Sequence, residues 1–364
     1  MREAFVHRLP VAGPDDVAPL DRLIASGAIR PERIVGIVGK TEGNGCVNDF
    51  TRAFAVSALR TCLSKHLAPA ALDAVTMVMS GGTEGGLSPL LIVFEAGEAG
   101  SGDAPALAIG RAHTRALRPE EIGGLAQVEV VAAGVAAAMK DAGIGRADDV
   151  HFVQIKCPLL TADRVAEAQA RGQATRTRDA LKSMALSRAA SALGVASALG
   201  EIAAGSIGEA AIGLDASLWS GRASASAGIE LMNHEILVLG MSADWAGPLA
   251  IDHGVMQDQI DIEPVRAALD RLGFAAQGQL PATQRERLVA LLAKAEAGQS
   301  GRLRGARHTM LDDSDISATR HARAFVAGAL AGLVGHAELF VSGGAEHQGP
   351  DGGGPVAVIA RKAG

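Results

Sequence analysis

The sequence contains no tyrosine, and its eight Phe and two Trp bring aromatic residues to only 3% of 364. That scarcity argues against a single-strand binder that stacks bases on aromatic rings. Basic residues are not in excess: 34 Lys and Arg face 40 Asp and Glu, for a net charge of −6. No positive field is therefore expected for nucleic acid or an acidic membrane surface. No run approaches the ~18 uninterrupted apolar residues of a spanning helix, and MREAFVHRLP lacks the apolar centre of a signal peptide. Cysteine is rare. Cys46, Cys62 and Cys157 are odd in number and never at CxxC spacing, which fits reduced thiols in a cytoplasmic protein. None of the ten histidines falls at a recognisable zinc spacing, so His113, His253 and His347 read as loop or core residues.

What the chain does have is glycine, 45 residues of it, within a composition that is 48% hydrophobic and leans on Ala and Val. This suits close helix–sheet packing with many tight turns. At about 150 residues per domain, the length allows two or three units.

Internal repeats decide the fold when they are present, and here a pair of signals recurs three times. An apolar stretch ends in lysine at RIVGIVGK (Lys40), DVHFVQIK (Lys156) and ERLVALLAK (Lys294). A short motif, Ser–Gly/Ala–Gly–x–Glu, follows as SGGTE from Ser80, SAGIE from Ser226 and SGGAE from Ser342. Each motif adjoins β-like apolar runs: AVTMVM, LMNHEILVLG and ELFV. Between lysine and serine lies a helical segment carrying an arginine. RAFAVSAL (Arg52) and RAFVAGAL (Arg323) match almost residue for residue, and MALSRAASALGVASAL supplies Arg188. The order Lys–Arg–Ser is kept in all three copies, so units are expected over 1–103, 111–247 and 253–364. Each reads as a small sheet with helices packed on it, an α+β arrangement. In the first helix, Asn48 and Asp49 read as the cap and Ala53, Phe54, Leu59 and Leu63 as the apolar stripe. Arg52 then sits in the first turn, where the dipole disfavours a cation, unless it works elsewhere. The amphipathic segment around 160–200 suits either packing in its own unit or an oligomer interface.

A serine becomes a nucleophile when a base takes its proton, and lysine is a base when burial or a neighbouring cation lowers its pKa. The small residue after each serine, Gly81, Ala227 or Gly343, lets a backbone N–H approach a carbonyl oxygen. Such donors are worth roughly 3–4 kcal/mol each in acyl transfer. Three copies of one binding unit suit a flat six-membered ring with three equivalent edges, each met by a serine, a backbone N–H and an arginine fork. The competing reading of one pair is a solubilising lysine at a strand end, and of Arg52 alone a solvated surface residue. GIVGKT (36–41) is too short for a phosphate-binding loop, with Ile34 where the first glycine belongs. Cys46 and Cys157 lie near the lysines but do not recur across units, so they read as packing residues.

VMSGGTEGGLSP and VSGGAEHQGPDGGGPVAVIA resemble the signature stretches of the cyanuric acid hydrolase/barbiturase family, and the likeness spans the chain. The resemblance implies three homologous units in pseudo-threefold array around a central active site, hydrolytic opening of a cyclic imide, no organic cofactor, and a homotetramer. It implies that cyanuric acid would yield carboxybiuret, then biuret and CO2. It also implies a site built from Lys40, Arg52 and Ser80; Lys156, Arg188 and Ser226; and Lys294, Arg323 and Ser342. Ser226 would be the nucleophile and Lys156 its base. Units one and three share K-x-E and S-G-G-x-E while the middle has K-C-P and S-A-G-I-E, a weak independent sign that the odd unit works. Arg320, one turn from Arg323, is its rival. A structural Mg2+ or Ca2+ is implied near AEHQGPDGGG, held by Glu296 and carbonyls of Ala345, Gln348, Gly349, Pro350 and Gly353; hard cations take oxygen donors of this kind. The alternatives are a barbiturase, and a binder of a small cyclic imide without catalysis.

Overall fold

In the computed structural model, which describes residues 1–100, 102–203 and 205–363, the chain lays down one strand order three times. Ser101, within the glycine-rich stretch expected between the first two units, and the terminal Gly364 lie outside the described residues. The first set comprises β1 (Arg2–Pro10), α1 (Ala18–Ala25), β2 (Ile34–Thr41), α2 (Phe50–Leu63), α3 (Pro69–Asp73), β3 (Thr76–Gly81) and β4 (Leu90–Glu98). The second comprises β5 (Ala106–His113), α4 (Leu125–Ala142), β6 (Val150–Pro158), α5 (Ala162–Ala170), α6 (Ala180–Ala198), β7 (Ala223–Gly228) and β8 (Glu235–Ser242). The third comprises β9 (Leu249–Met256), α7 (Glu263–Arg271), α8 (Ala282–Arg285), β10 (Leu288–Ala295), the two-residue strands β11 (Arg302–Leu303) and β12 (Ala306–Arg307), α9 (Ala318–Val334), β13 (Phe340–Gly343) and β14 (Gly354–Arg361).

The four-stranded sheets run β1-β4-β2-β3, β5-β8-β6-β7 and β9-β14-β10-β13. In these sheets β2 and β3, β6 and β7, and β10 and β13 are parallel, and every other pairing is antiparallel. A parallel pair needs a long crossover, and that crossover is the arginine-bearing helix: α2, α6 or α9.

Side chains alternate between two apolar layers, as strand geometry requires. In β3, Met77 and Met79 pack under the helices of the first set while Val78 enters a core shared by all three sheets. In β10, Leu291 and Ala293 face the third set's helices and Leu292 the shared core. Lys40, Ser80, Lys294 and Ser342 have the parity of the inward residues, so alternation alone sends them toward the common centre.

The stripe expected for α2 needs correction. Asp49 caps the helix, its Oδ1 accepting from Thr51 N at 3.0 Å. Phe54, however, is 51% exposed, and the buried face is Arg52, Ala55, Leu59, Cys62 and Leu63. Those positions recur at helical spacing, and Phe54 projects from the opposite side. The 160–200 segment is broken into α5 and α6, and α6 is buried nearly all round against α4 and its own sheet. A Cβ at Gly194 would come 2.7 Å from Val128 O, which shows how close the two helices lie. No described helix is long and apolar enough to cross a membrane.

One contact between sheets makes stability depend on pH. The Glu235 Oε2, at the start of β8, accepts from Met77 N of β3 at 2.6 Å, and burial pushes the carboxyl up to about 7. The folded state thus favours the protonated form. The associated stability is complete below about pH 4.5 and is lost as pH rises through 7, about 3 kcal/mol in all. Glu235→Gln should therefore stabilise the protein at pH 8 and not at pH 4.5, measured by urea unfolding. An equal change at both pH values would contradict this.

Candidate active site

Each lysine is the strand-register partner of its serine: Lys40 with Ser80, Lys156 with Ser226 and Lys294 with Ser342. The repeat read in the sequence is therefore one geometric fact made three times. The lysines are 1%, 2% and 1% exposed, which is rare for this side chain without a partner or a task. The three hydroxyls meet. Ser80 Oγ donates to Ser342 Oγ at 3.1 Å, and the Ser226 and Ser342 oxygens are 3.2 Å apart. Lys40 Nζ donates to Ser80 Oγ at 3.4 Å and Lys294 Nζ to Ser342 Oγ at 3.2 Å. The middle pair differs. Lys156 Nζ donates to Met79 O at 3.0 Å and stands 3.1 Å from Glu230 Oε1, without a hydrogen bond to Ser226.

Burial pushes all three lysines down, as the chemistry of a base requires. Arg323 adds to the effect at Lys40, which falls well below its usual value; Arg188 adds to it at Lys294, which falls to about 7. At Lys156 the carboxylate of Glu230 opposes burial.

Arg52, Arg188 and Arg323 line one cavity with Ser80, Ser226 and Ser342, and with Gly81, Ala227 and Gly343. Gly45 and Met184 complete its wall. It is a small, half-open cavity. Arg320 does not line it; its guanidinium lies 4.0 Å from Cys46 Sγ.

The arginines reveal residues that the sequence reading passed over. Arg323 pairs with Glu84 through Nε, at 2.8 Å, and Nη2. Arg188 pairs with Glu346 at 2.8 and 2.6 Å, and Arg52 Nε stands 4.0 Å from Glu230 Oε1. Each glutamate ends a Ser–Gly/Ala–Gly–x–Glu motif, and each arginine comes from a different unit. The pairs close a cycle: unit one to two, two to three, three to one. The motif's third residue is glycine in all three copies for a reason. A Cβ at Gly82 would meet Glu84 at 2.4 Å, at Gly228 would meet Glu230 at 1.7 Å, and at Gly344 would meet Arg188 at 2.5 Å. The recurring final Glu was the available signal. Nothing in one dimension says which arginine it meets.

Glu296 follows β10, and Ala345, Gln348, Gly349, Pro350 and Gly353 lie in the β13–β14 loop beside it. The Glu296 carboxylate accepts from Ala297 N and Ala345 N, each at 3.0 Å, and burial and Glu346 push its pKa up. The carbonyls of Ala345 and Pro350 accept turn bonds of 2.8 Å from Gln348 N and Gly353 N and each retains a lone pair. A half-buried carboxylate without an ion pair among the described residues, beside such carbonyls, fits a hard divalent cation. Gln348 Oε1 also accepts from Ala225 N at 2.7 Å, fastening the loop to β7 next to Ser226.

His347 is a clamp: its Nε2 accepts from Gly213 N at 2.7 Å while its Nδ1 meets Leu218 O at 2.5 Å. His253 lies 2.9 Å from His151, beside Asp252, a grouping that spacing did not show; Asp252 is already bound by both nitrogens of the Arg271 fork. Cys157 is fully buried, its thiol pushed up by burial, and Cys46 is half-buried.

Residues 5–361 match the family model of amidohydrolase ring-opening proteins. The chain is 63% identical to a cyanuric acid amidohydrolase of Bradyrhizobium sp. (strain ORS 375), over 100% of this chain and 99% of the relative. It is 48% identical to one of Enterobacter cloacae, over 99% and 100%. A crystal structure of the cyanuric acid hydrolase from A. caulinodans superposes with a TM-score of 0.93 at 61% identity, covering 100% of each chain. A second cyanuric acid hydrolase structure, described as an evolutionary innovation by structural concatenation, superposes with a TM-score of 0.94 at 48% identity, over 99% and 100%.

Proposed function

The chain belongs to the amidohydrolase ring-opening family, and from that premise we propose that it hydrolyses cyanuric acid to carboxybiuret, which loses CO2 to become biuret. One observation carries the reading: three serine hydroxyls, from three sheets of one topology, meet in a small cavity with three arginines. That arrangement is complementary to a ring with three carbonyls and three N–H groups. Each carbonyl takes a serine, the backbone N–H of Gly81, Ala227 or Gly343, and one of Arg52, Arg188 and Arg323.

In this reading Ser226 Oγ attacks one carbonyl carbon and passes its proton to Lys156. The ring C–N bond breaks, and the proton returns to the departing nitrogen. Water then cleaves the acyl ester and regenerates Ser226. Lys40 and Lys294, hydrogen-bonded to Ser80 and Ser342, orient those hydroxyls toward the other two carbonyls.

Glu296 and the carbonyls of Ala345, Gln348, Gly349, Pro350 and Gly353 would hold Mg2+ or Ca2+. The ion's contribution is structural, tying the β13–β14 loop to β10 near the site. Removing it with EDTA is expected to lower Tm by about 4 °C, with recovery on adding the ion back. An unchanged Tm would dismiss the ion.

The deciding experiment incubates the protein separately with cyanuric and barbituric acid and follows biuret and ureidomalonate. Turnover of cyanuric acid alone supports the proposal, and turnover of barbituric acid transfers it to the sister activity. Binding of either ring without opening would leave a ring-binding protein.

A further inference from the structure

The cycle of arginine–glutamate pairs is regular at two points and broken at the third. Glu84 and Glu346 each take two hydrogen bonds from an arginine. Glu230 stands back from Arg52, at 4.0 Å, and lies instead 3.1 Å from Lys156 Nζ. Both Glu230 oxygens and Arg52 Nε are buried without a hydrogen-bond partner. Such under-satisfied buried charge is costly, and where it persists it calls for an explanation. The displacement is built in. Arg164 donates to Ile229 O at 2.8 Å and Leu231 O at 3.3 Å, fixing the residues on both sides of Glu230. Gly228 leaves the space through which carboxylate and lysine meet.

We propose that Glu230 is the positioning residue that makes the middle pair the working one, by holding the ammonium that Lys156 becomes when it takes the Ser226 proton. The inference rests on the Ser226–Lys156 assignment made above. Among the described residues neither Lys40 nor Lys294 has an ion pair with a carboxylate, so an ammonium formed there gains no such partner in a buried site. Those two lysines serve as neutral donors. Lys156 alone can accept a proton and keep it until the ring nitrogen leaves, with Glu230 ionised throughout. The charged and titratable groups facing this pair are Arg52, Arg164, Cys157 and Glu235.

The test compares Glu230→Gln, Glu84→Gln, Glu346→Gln and Lys156→Ala in steady-state turnover of cyanuric acid across pH. Glu230→Gln should lower kcat on the order of 10²-fold with little change in KM. It should also move the acid limb of kcat/KM to lower pH, because Lys156 loses the charge that raised its pKa. Glu84→Gln and Glu346→Gln should raise KM through their arginines and leave the limb in place. Parental kcat and limb in Glu230→Gln, with Lys156→Ala inactive, would overturn the role of Glu230 alone. Turnover surviving in Lys156→Ala would instead overturn the underlying base assignment. If Glu230→Gln does not unfold cooperatively, Glu230→Asp replaces it: its retracted carboxylate should cost kcat and shift the limb in the same direction, and parental behaviour there is equally fatal.

Discussion

Ser226→Ala is expected to lower kcat by roughly 10⁶-fold, the scale of losing a nucleophile whose base remains, while substrate still binds. Binding survives because the three arginines and the other two serines line the cavity independently of the Ser226 hydroxyl. Ser80→Ala and Ser342→Ala remove hydroxyls that touch carbonyls without forming a bond to carbon. They should act chiefly on KM, by about 1 kcal/mol per hydrogen bond. The measurement is single-turnover product formation with enzyme in excess, together with calorimetric binding of the ring. Equal losses at all three serines would remove the case for one nucleophile. A greater loss at Ser342, whose oxygen lies 3.2 Å from Lys294 Nζ, would move the nucleophile to the third unit.

Arg188→Ala is expected to cost both stability and substrate binding. The guanidinium meets both oxygens of Glu346, and Glu296 lies close enough to raise the cost of an ionised neighbour. Removing the arginine leaves two carboxylates together in a partly buried loop. The penalty should be about 3 kcal/mol in urea unfolding, most of it from the charge left without a partner. Adding Glu346→Gln should restore most of that stability and none of the affinity, because the lost substrate contact belongs to Arg188. A double variant no more stable than Arg188→Ala would show that packing, and not charge, sets the penalty.

The repeat was legible in one dimension because it follows from local rules. Lysine near a strand end and serine at the start of a glycine-bearing motif are strand-scale features. Their inward direction is set by the alternation of the strand itself. Three such copies in one order carried the expectation of a ligand with matching symmetry, while the stretches around Ser80 and Ser342 carried the likeness to the family. Phe54 shows where pattern reading failed: an apolar residue was assigned to the buried face of α2, when Arg52 occupied it. Hydrophobicity ranked the two wrongly because the first turn of that face, at Arg52, reaches the polar cavity, while Ala55, Leu59, Cys62 and Leu63 further along it pack in the apolar core.

The sequence by itself determined that three like units would each offer a lysine, an arginine and a serine, since strand and helix periods are properties of neighbouring residues. Only the tertiary structure decided which unit's arginine meets which unit's glutamate, and that Glu230 faces Lys156 while Glu84 and Glu346 face Arg323 and Arg188. Those partners lie far apart along the chain, Arg188 and Glu346 by 158 residues and Arg323 and Glu84 by 239. Their meeting depends on how whole sheets pack, and packing is a sum over the shared core that no local pattern contains.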